Sequence, residues 1–208
     1  MELSARLIDT GVIDTQPNRI TQELSELADG VALIESFSHV VLVDTGDGLV
    51  AFDSRGAQSG KQVVESMRAW SDDPVHTLVY THGHVDHVGG SRSFAADADD
   101  HGRPNPRVLG HQQVIPRFDR YEQTRGYNVT INLRQFGGAA KTAGQLRDFP
   151  FLPPGTLRPD VTYEQQLTEQ IGDVEFEYNY CKGETDDLSL IHISEPTRLL
   201  VQSRMPSS

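Results

Sequence analysis

Thr81-His82-Gly83-His84-Val85-Asp86-His87-Val88-Gly89-Gly90 decides the fold, because four metal-seeking side chains fall within six residues directly behind a hydrophobic run. That run, Val75-His76-Thr77-Leu78-Val79-Tyr80, is short, β-branched and aromatic, with Asp72-Asp73-Pro74 before it. It reads as a buried strand running into a loop. His82 and His84, two apart in an extended chain, point to one side, and Gly83 permits a turn that aims both imidazoles at one ion. Asp86 and His87 come after the chain bends and serve a neighbouring point. Three imidazoles and a carboxylate are borderline ligands that suit Zn, with Fe and Mn as alternatives. Split two and two, they imply a pair of ions that each need further ligands. A solvated loop after a strand is the bland reading, and the HxHxDH spacing is too specific for it.

These residues resemble the signature of the metallo-β-lactamase-fold superfamily, HxHxDH after a strand. The resemblance implies an α/β fold of the αββα sandwich type with the metals at one edge of the sheets. It also implies a metal-dependent hydrolase in which a metal-bound hydroxide attacks an ester-type bond of a small-molecule substrate. By position, His82 and His84 are the implied ligands of the first metal, Asp86 and His87 those of the second, and Asp86 the residue that orients the water. The physics agrees, since a bound dication lowers the pKa of water to about 7 and two metals can hold nucleophile and leaving oxygen together.

Outward from the motif, Val31 to Phe37, His39 to Asp44 and Leu49 to Asp53 are three apolar runs, and Gly46-Asp47-Gly48 predicts a hairpin between the last two. Asp53 closes the third strand. In the resembled family an aspartate here lies beneath the site and hydrogen-bonds the ligand loop; capping of the next helix is the alternative role. From Ala57 to Trp70, Val63, Val64, Met67 and Trp70 fall at helical spacing, a core stripe of a helix that covers the sheet. Ser91 to Ala98 predicts a short helix, 97–106 a surface loop, and Arg107 to Gly110 a strand. His111 follows that strand and reads as a packed histidine rather than a ligand, and His39 likewise.

Residues 112–160 are the least legible stretch, with Gly137-Gly138 and the proline-rich 150–159 marking long loops. Arg117, Arg120, Arg125, Arg134, Lys141 and Arg147 occur there among aromatic residues. Ordinary solvated packing is the simple account; a substrate with an anionic head and an apolar body is the functional one. Gln166 to Ile171 and Val174 to Tyr180 predict a second hairpin, with Val174, Phe176, Tyr178 and Tyr180 on its buried face. Gly183-Glu184-Thr185-Asp186-Asp187 comes next. The layout over residues 31–187 resembles alkyl-sulfatase-like hydrolases of the same superfamily. In the superfamily a third ligand of the first metal, usually a histidine, stands near this point. Glu184 is the best carboxylate substitute here, and a turn or capping role for residues 183–187 is the alternative.

Leu188 to Arg198 and Ser203 to Ser208 resemble, in order and in frame, the translation of a sequencing adaptor; a natural strand is the alternative, since Leu188 to Ile193 alternates apolar and polar. The expected organisation is therefore an N-terminal arm over 1–30, an incomplete metallo-β-lactamase-like domain over 31–187, truncated in its second half, and a non-native tail over 188–208. His192 then belongs to the tail and is no ligand. Without the tail 16 basic residues stand against 29 acidic ones, a net charge of −13, close to the −12 of the whole chain. So acidic a surface argues against nucleic acid and anionic membrane as partners. The lone Cys181 excludes an internal disulfide and, with no apolar leader at Met1 and no long apolar span, predicts a soluble cytoplasmic protein. Nothing in the sequence sets the oligomeric state.

Three functional readings follow: a zinc hydrolase acting on an ester-type bond, a sulfate ester among them; an iron-dependent oxidoreductase of the same fold; and an inactive metal-binding fragment that lacks the remaining ligands.

Overall fold

The computed structural model describes residues 2–12, 20–135 and 150–194. A short helix α1 (Glu2–Thr10) precedes a sheet that begins with β1 (Leu24–Ala28), β2 (Val31–Ile34), β3 (Val40–Asp44) and β4 (Leu49–Phe52), all antiparallel in sequence order. The predicted hairpin joins β3 to β4. Gly46 (φ +82°) and Gly48 (φ +124°) take the left-handed conformations that such a turn demands, and Thr45 closes it by donating its hydroxyl to the Gly48 carbonyl.

Helix α2 (Gly60–Trp70) then crosses over, and the chain returns as β5 (Val75–Val79), parallel to β4. After the ligand motif, α4 (Ser91–Asp100) makes a second crossover to β6 (Arg107–His111), and β7 (Val161–Tyr163) continues the parallel half. The seven strands lie in the order β1-β2-β3-β4-β5-β6-β7. β4 is central and buried throughout, as its unbroken apolar run requires. A second sheet, β8 (Gln166–Ile171), β9 (Val174–Tyr180) and β10 (Ser189–Ser194), is ordered β10-β9-β8.

Two cores sit on opposite faces of the large sheet. Ile34, Leu42, Leu49 and Leu78 pack with Val63, Met67 and Phe94 of the crossover helices. On the other face Val43, Val50, Phe52 and Val79 meet Ile171, Val174, Phe176 and Tyr178 of the small sheet. Helix, sheet and sheet are three layers of an αββα sandwich.

Three segments depart from the sequence expectations. Leu24–Ala28 of the expected arm is an edge strand, held by main-chain pairing to β2 with only Leu24 packed on the core, so its sequence carries little alternation. The stretch after residue 112, to which the sequence assigns no helix or strand, contains α5 (Val114–Gln123) and α6 (Arg125–Gln135). Val114, Phe118 and Tyr121 form the buried stripe of α5, and Pro116 falls in its first turn, where a missing N–H costs nothing. Gly137-Gly138, Lys141 and Arg147 lie outside the described residues. Finally, Ser189–Ser194 of the expected tail pairs with β9 from Ser189 opposite Tyr180 to Ser194 opposite Glu175. Main-chain hydrogen bonds carry this pairing, which any extended, alternating segment supplies. His192 stands opposite Glu177, exposed and apart from the motif histidines.

Candidate metal centre

The motif lies where β5 ends, at the edge of the large sheet, and it rests on the segment that follows β4. Asp53 (φ +63°) and Arg55 (φ +67°) both adopt left-handed backbone that non-glycine residues rarely take. Their strain turns the chain so that backbone meets backbone. The Ser54 amide and hydroxyl donate to the His87 carbonyl at 2.7 and 2.9 Å, and the Gly90 amide donates to the Arg55 carbonyl at 2.6 Å. A Cβ at Gly90 would lie 2.0 Å from the Ser54 carbonyl oxygen, which is why glycine ends the motif.

Asp53, almost fully buried, is the hub beneath the histidines. Its Oδ1 accepts the Thr81 amide at 2.8 Å, and its Oδ2 accepts the Thr81 hydroxyl at 2.7 Å and faces His87 Nδ1 at 2.6 Å. Having donated to Asp53, the Thr81 oxygen is left to accept a proton from His82 Nδ1 at 3.1 Å. One carboxylate therefore fixes two tautomers, His87 directly and His82 through Thr81, and turns the Nε2 lone pair of each outward.

His82 Nε2 lies 3.0 Å from His84 Nδ1 and 3.0 Å from Glu184 Oε1, and His84 Nδ1 lies 3.9 Å from the same Oε1. Tetrahedral ligands at zinc bond lengths stand about 3.3 Å apart. The three donors fit such an ion, and they are the one cluster of this kind among the described residues. Asp86 and His87 face each other beside it on α3 (Val85–Val88), with Asp86 Oδ2 3.6 Å from His87 Nε2 and the His82 and His87 rings 4.1 Å apart. Ser38 donates to Asp86 Oδ2 at 2.7 Å. No sequence pattern singles out the roles of Thr81 and Ser38; each acts through a single hydroxyl. His111 is packed, stacked on Tyr180 with its Nε2 against the Glu164 carbonyl.

The electrostatics keep His82 and His84 neutral and Asp86 ionised, the forms that bind a metal. They draw a proton to His87, which an ion there would have to displace. Burial, with the neighbouring His87, pushes His82 down to about 4, and burial and the Arg117 charge lower His84. Burial alone would lower His87, but the Asp53 hydrogen bond and the Asp53 and Asp86 charges outweigh it and raise His87. Burial would raise Asp86, and the Ser38 hydroxyl and His87 outweigh it and keep the carboxyl low.

Opposite slopes of stability with pH follow for the metal-free protein. The unfolded chain protonates His82 near its ordinary 6.5 while the folded chain resists to about 4, so stability present above pH 6.5 is lost as pH falls between those values. The His87 contribution is full below 6.5 and is lost as pH rises through its raised folded value. Denaturant midpoints measured in chelator are expected to peak near pH 6.5. A midpoint that keeps climbing above that pH would contradict the assigned His87–Asp53 pairing.

The donors open on a cleft of about 490 Å³, with His84, Asp86, His87 and Glu184 on one side and Arg120 and Tyr127 of the α5–α6 pair on the other. Of the basic residues noted among aromatics, Arg120 reaches the cleft, whereas Arg117 is buried and paired with Asp186 and Asp187. No helix among the described residues is long and apolar enough to cross a membrane.

Residues 31–201 match the family model of the Metallo-beta-lactamase superfamily. A linear primary-alkylsulfatase of Pseudomonas sp. (strain ATCC 19151) is 20% identical over 181 residues, covering 83% of this chain and 32% of its own length. BJP-1, a subclass B3 metallo-β-lactamase of Bradyrhizobium japonicum, superposes with a TM-score of 0.61 at 15% identity, covering 86% of this chain and 59% of that one. A B3 metallo-β-lactamase described as the first with an active-site glutamic acid superposes at 0.57 with 19% identity, covering 95% and 64%. The chain thus spans a third or less of the curated relatives it matches. With the family match running over most of its length and the sandwich layers and strand-end histidines in place, the chain belongs to the metallo-β-lactamase superfamily.

Proposed function

We propose that the protein is a metal-dependent hydrolase of ester-type bonds, with sulfate esters the favoured class. The observation that carries this is the convergence of His82 Nε2, His84 Nδ1 and Glu184 Oε1 within 4.8 Å of one another. His82, His84 and Glu184 would hold a first divalent ion, zinc by donor set, and Asp86 with His87 would offer two donors to a second. Bound there, such ions supply Lewis acidity and bring the pKa of water toward neutrality. The remaining steps belong to the chain. Asp53 holds the protons of His87 Nδ1 and, through Thr81, of His82 Nδ1. Asp86 Oδ2, kept ionised and steadied by Ser38, is the acceptor that orients water at the cleft. Arg120 offers a charge to an anionic head, and Tyr127 and Phe37 an apolar wall to the body behind it.

The likeness to an alkylsulfatase supports the substrate class, and the distances from Glu184 Oε1 to His82 and His84 support Glu184 as the third donor. Zinc titration of the chain, followed by assays on aryl and alkyl sulfates, carboxylic esters and a β-lactam, tests the reading. Zinc binding of at least one equivalent is expected, with sulfate-ester hydrolysis that chelator abolishes and zinc restores. Turnover that survives complete chelation would overturn the metal reading. Tight zinc binding without turnover of any of these substrates would overturn hydrolysis by this chain and leave a metal-binding fragment.

A further inference from the structure

Between the two histidines of the first ion site, the Gly83 amide donates to Asp187 Oδ2 at 2.9 Å, and the same oxygen accepts Arg117 Nε at 2.8 Å. Arg117 Nη2 reaches on to Asp186 Oδ1. Asp187 is wholly buried and Arg117 nearly so. A Cβ at Gly83 would stand 2.8 Å from both Arg117 Cδ and Asp187 Oδ2, so the backbone between His82 and His84 is wedged against this pair with no room to spare. The contact continues past Asp187, where the Ser189 amide donates to the Thr81 carbonyl at 2.8 Å.

Buried ion pairs are poor stabilisers, because desolvating two charges offsets most of their attraction, and apolar residues of similar size do as well or better. A pair in this position therefore invites a role beyond holding the fold together. We infer that Arg117 and Asp187 are positioning residues of the metal centre, which set the angle between His82 and His84 through the Gly83 amide and draw Glu184 against them. The inference rests on the metal site proposed above. The lever is short: Asp187 lies three residues beyond Glu184 in the turn that leads to β10, so the oxygen that grips the ligand loop also fixes how far the Glu184 carboxylate reaches. Arg117, on the first turns of α5, ties both to the helix that walls the cleft. Its planar fork spans two carboxylates, which a lysine ammonium cannot do with the same geometry.

The test compares the whole chain with Arg117→Met/Asp187→Leu, which removes both charges together and leaves none buried alone, and with Arg117→Lys. Zinc affinity is read by competition with a chelator, ligand geometry by the visible absorption of the cobalt-loaded protein, and folding by melting of the metal-free form. The double variant is expected to melt in a single transition like the wild type yet bind zinc about 10- to 100-fold more weakly, with weakened or shifted cobalt bands. Arg117→Lys is expected to fall between the two. A folded double variant with wild-type zinc affinity and an unchanged cobalt spectrum would overturn the inference and leave the metal site standing. If the double variant does not fold, Arg117→Lys decides by the same criterion, wild-type affinity and spectrum counting against. Failure of the wild-type chain to take up zinc or cobalt would sink both this inference and the function on which it rests.

Discussion

Changing His82 and His84 together to alanine will leave the chain unable to take up zinc at concentrations that saturate the wild type, and the hydrolysis proposed for it will disappear as well. Both imidazoles of the three-donor cluster go, and Glu184, a mostly exposed carboxylate, cannot hold the ion alone. Thermal melting gives a readout free of any assumption about substrate. A ligand present at 100 times its dissociation constant stabilises the folded state by about 2.7 kcal/mol. For a domain of this size that is a rise in melting temperature of about 5–10 °C. The wild type should show this rise on adding zinc, and the double variant should show none. Its metal-free melting temperature should change less, because His82 is crowded by imidazoles, with ring centroids 4.6 Å from His84 and 4.1 Å from His87, and alanine relieves that crowding as it opens a cavity. A double variant that retained a zinc equivalent at wild-type affinity would show that the ion is held elsewhere.

The sequence made the frame of this centre readable because its parts are local. The strand before His82, the hairpin at Gly46-Asp47-Gly48 and the α2 stripe of Val63, Val64 and Met67 each declare themselves within a dozen residues, where periodicity is the physical signal. His82, His84, Asp86 and His87 were visible for the same reason. Glu184 was not, on residue pattern alone: it stands 100 residues further on in a polar turn and was singled out only because the resembled family needs a ligand there. The Arg117–Asp187 pair was less visible still. Arg117 looked like one of several arginines in an apparent loop, because α5 has a stripe of only Val114, Phe118 and Tyr121 in a basic and polar surround. Asp187 looked like the last of a run of turn residues. Contacts that span 70 residues leave no periodic trace in either partner. The β10 pairing did have a local signal, the apolar–polar alternation of Leu188 to Ile193, which the adaptor resemblance outweighed; main-chain hydrogen bonds accept a strand on its extended conformation whatever its origin.

Replacement of Asp53 will separate the backbone, the hydrogen bonds and the tautomers that this one residue combines. Asp53→Ala removes the acceptor of the Thr81 amide, the Thr81 hydroxyl and His87 Nδ1 at a nearly buried site, and each unsatisfied buried donor costs about 1–3 kcal/mol. It also places alanine at φ +63°, so a loss of about 3–5 kcal/mol in folding stability is expected, with zinc affinity down by about 10- to 100-fold. Asp53→Gly accepts the left-handed backbone and should recover about 1 kcal/mol over alanine while binding zinc no better, because the hydrogen bonds are still gone. Asp53→Asn is the most discriminating. Its oxygen can still take the Thr81 amide, but its amino group then faces His87 and forces Nδ1 to accept instead of donate. The proton moves to Nε2, the atom that faces Asp86, and His87 loses the lone pair it would offer an ion. Asp53→Asn is therefore expected to keep most of its metal-free stability yet bind one ion fewer than a wild type loaded with two. Nitrogen NMR shifts of His87 should report the changed tautomer. An asparagine variant with wild-type zinc stoichiometry and an Nδ1-protonated His87 would show that Asp53 shapes the loop without governing the histidine it touches.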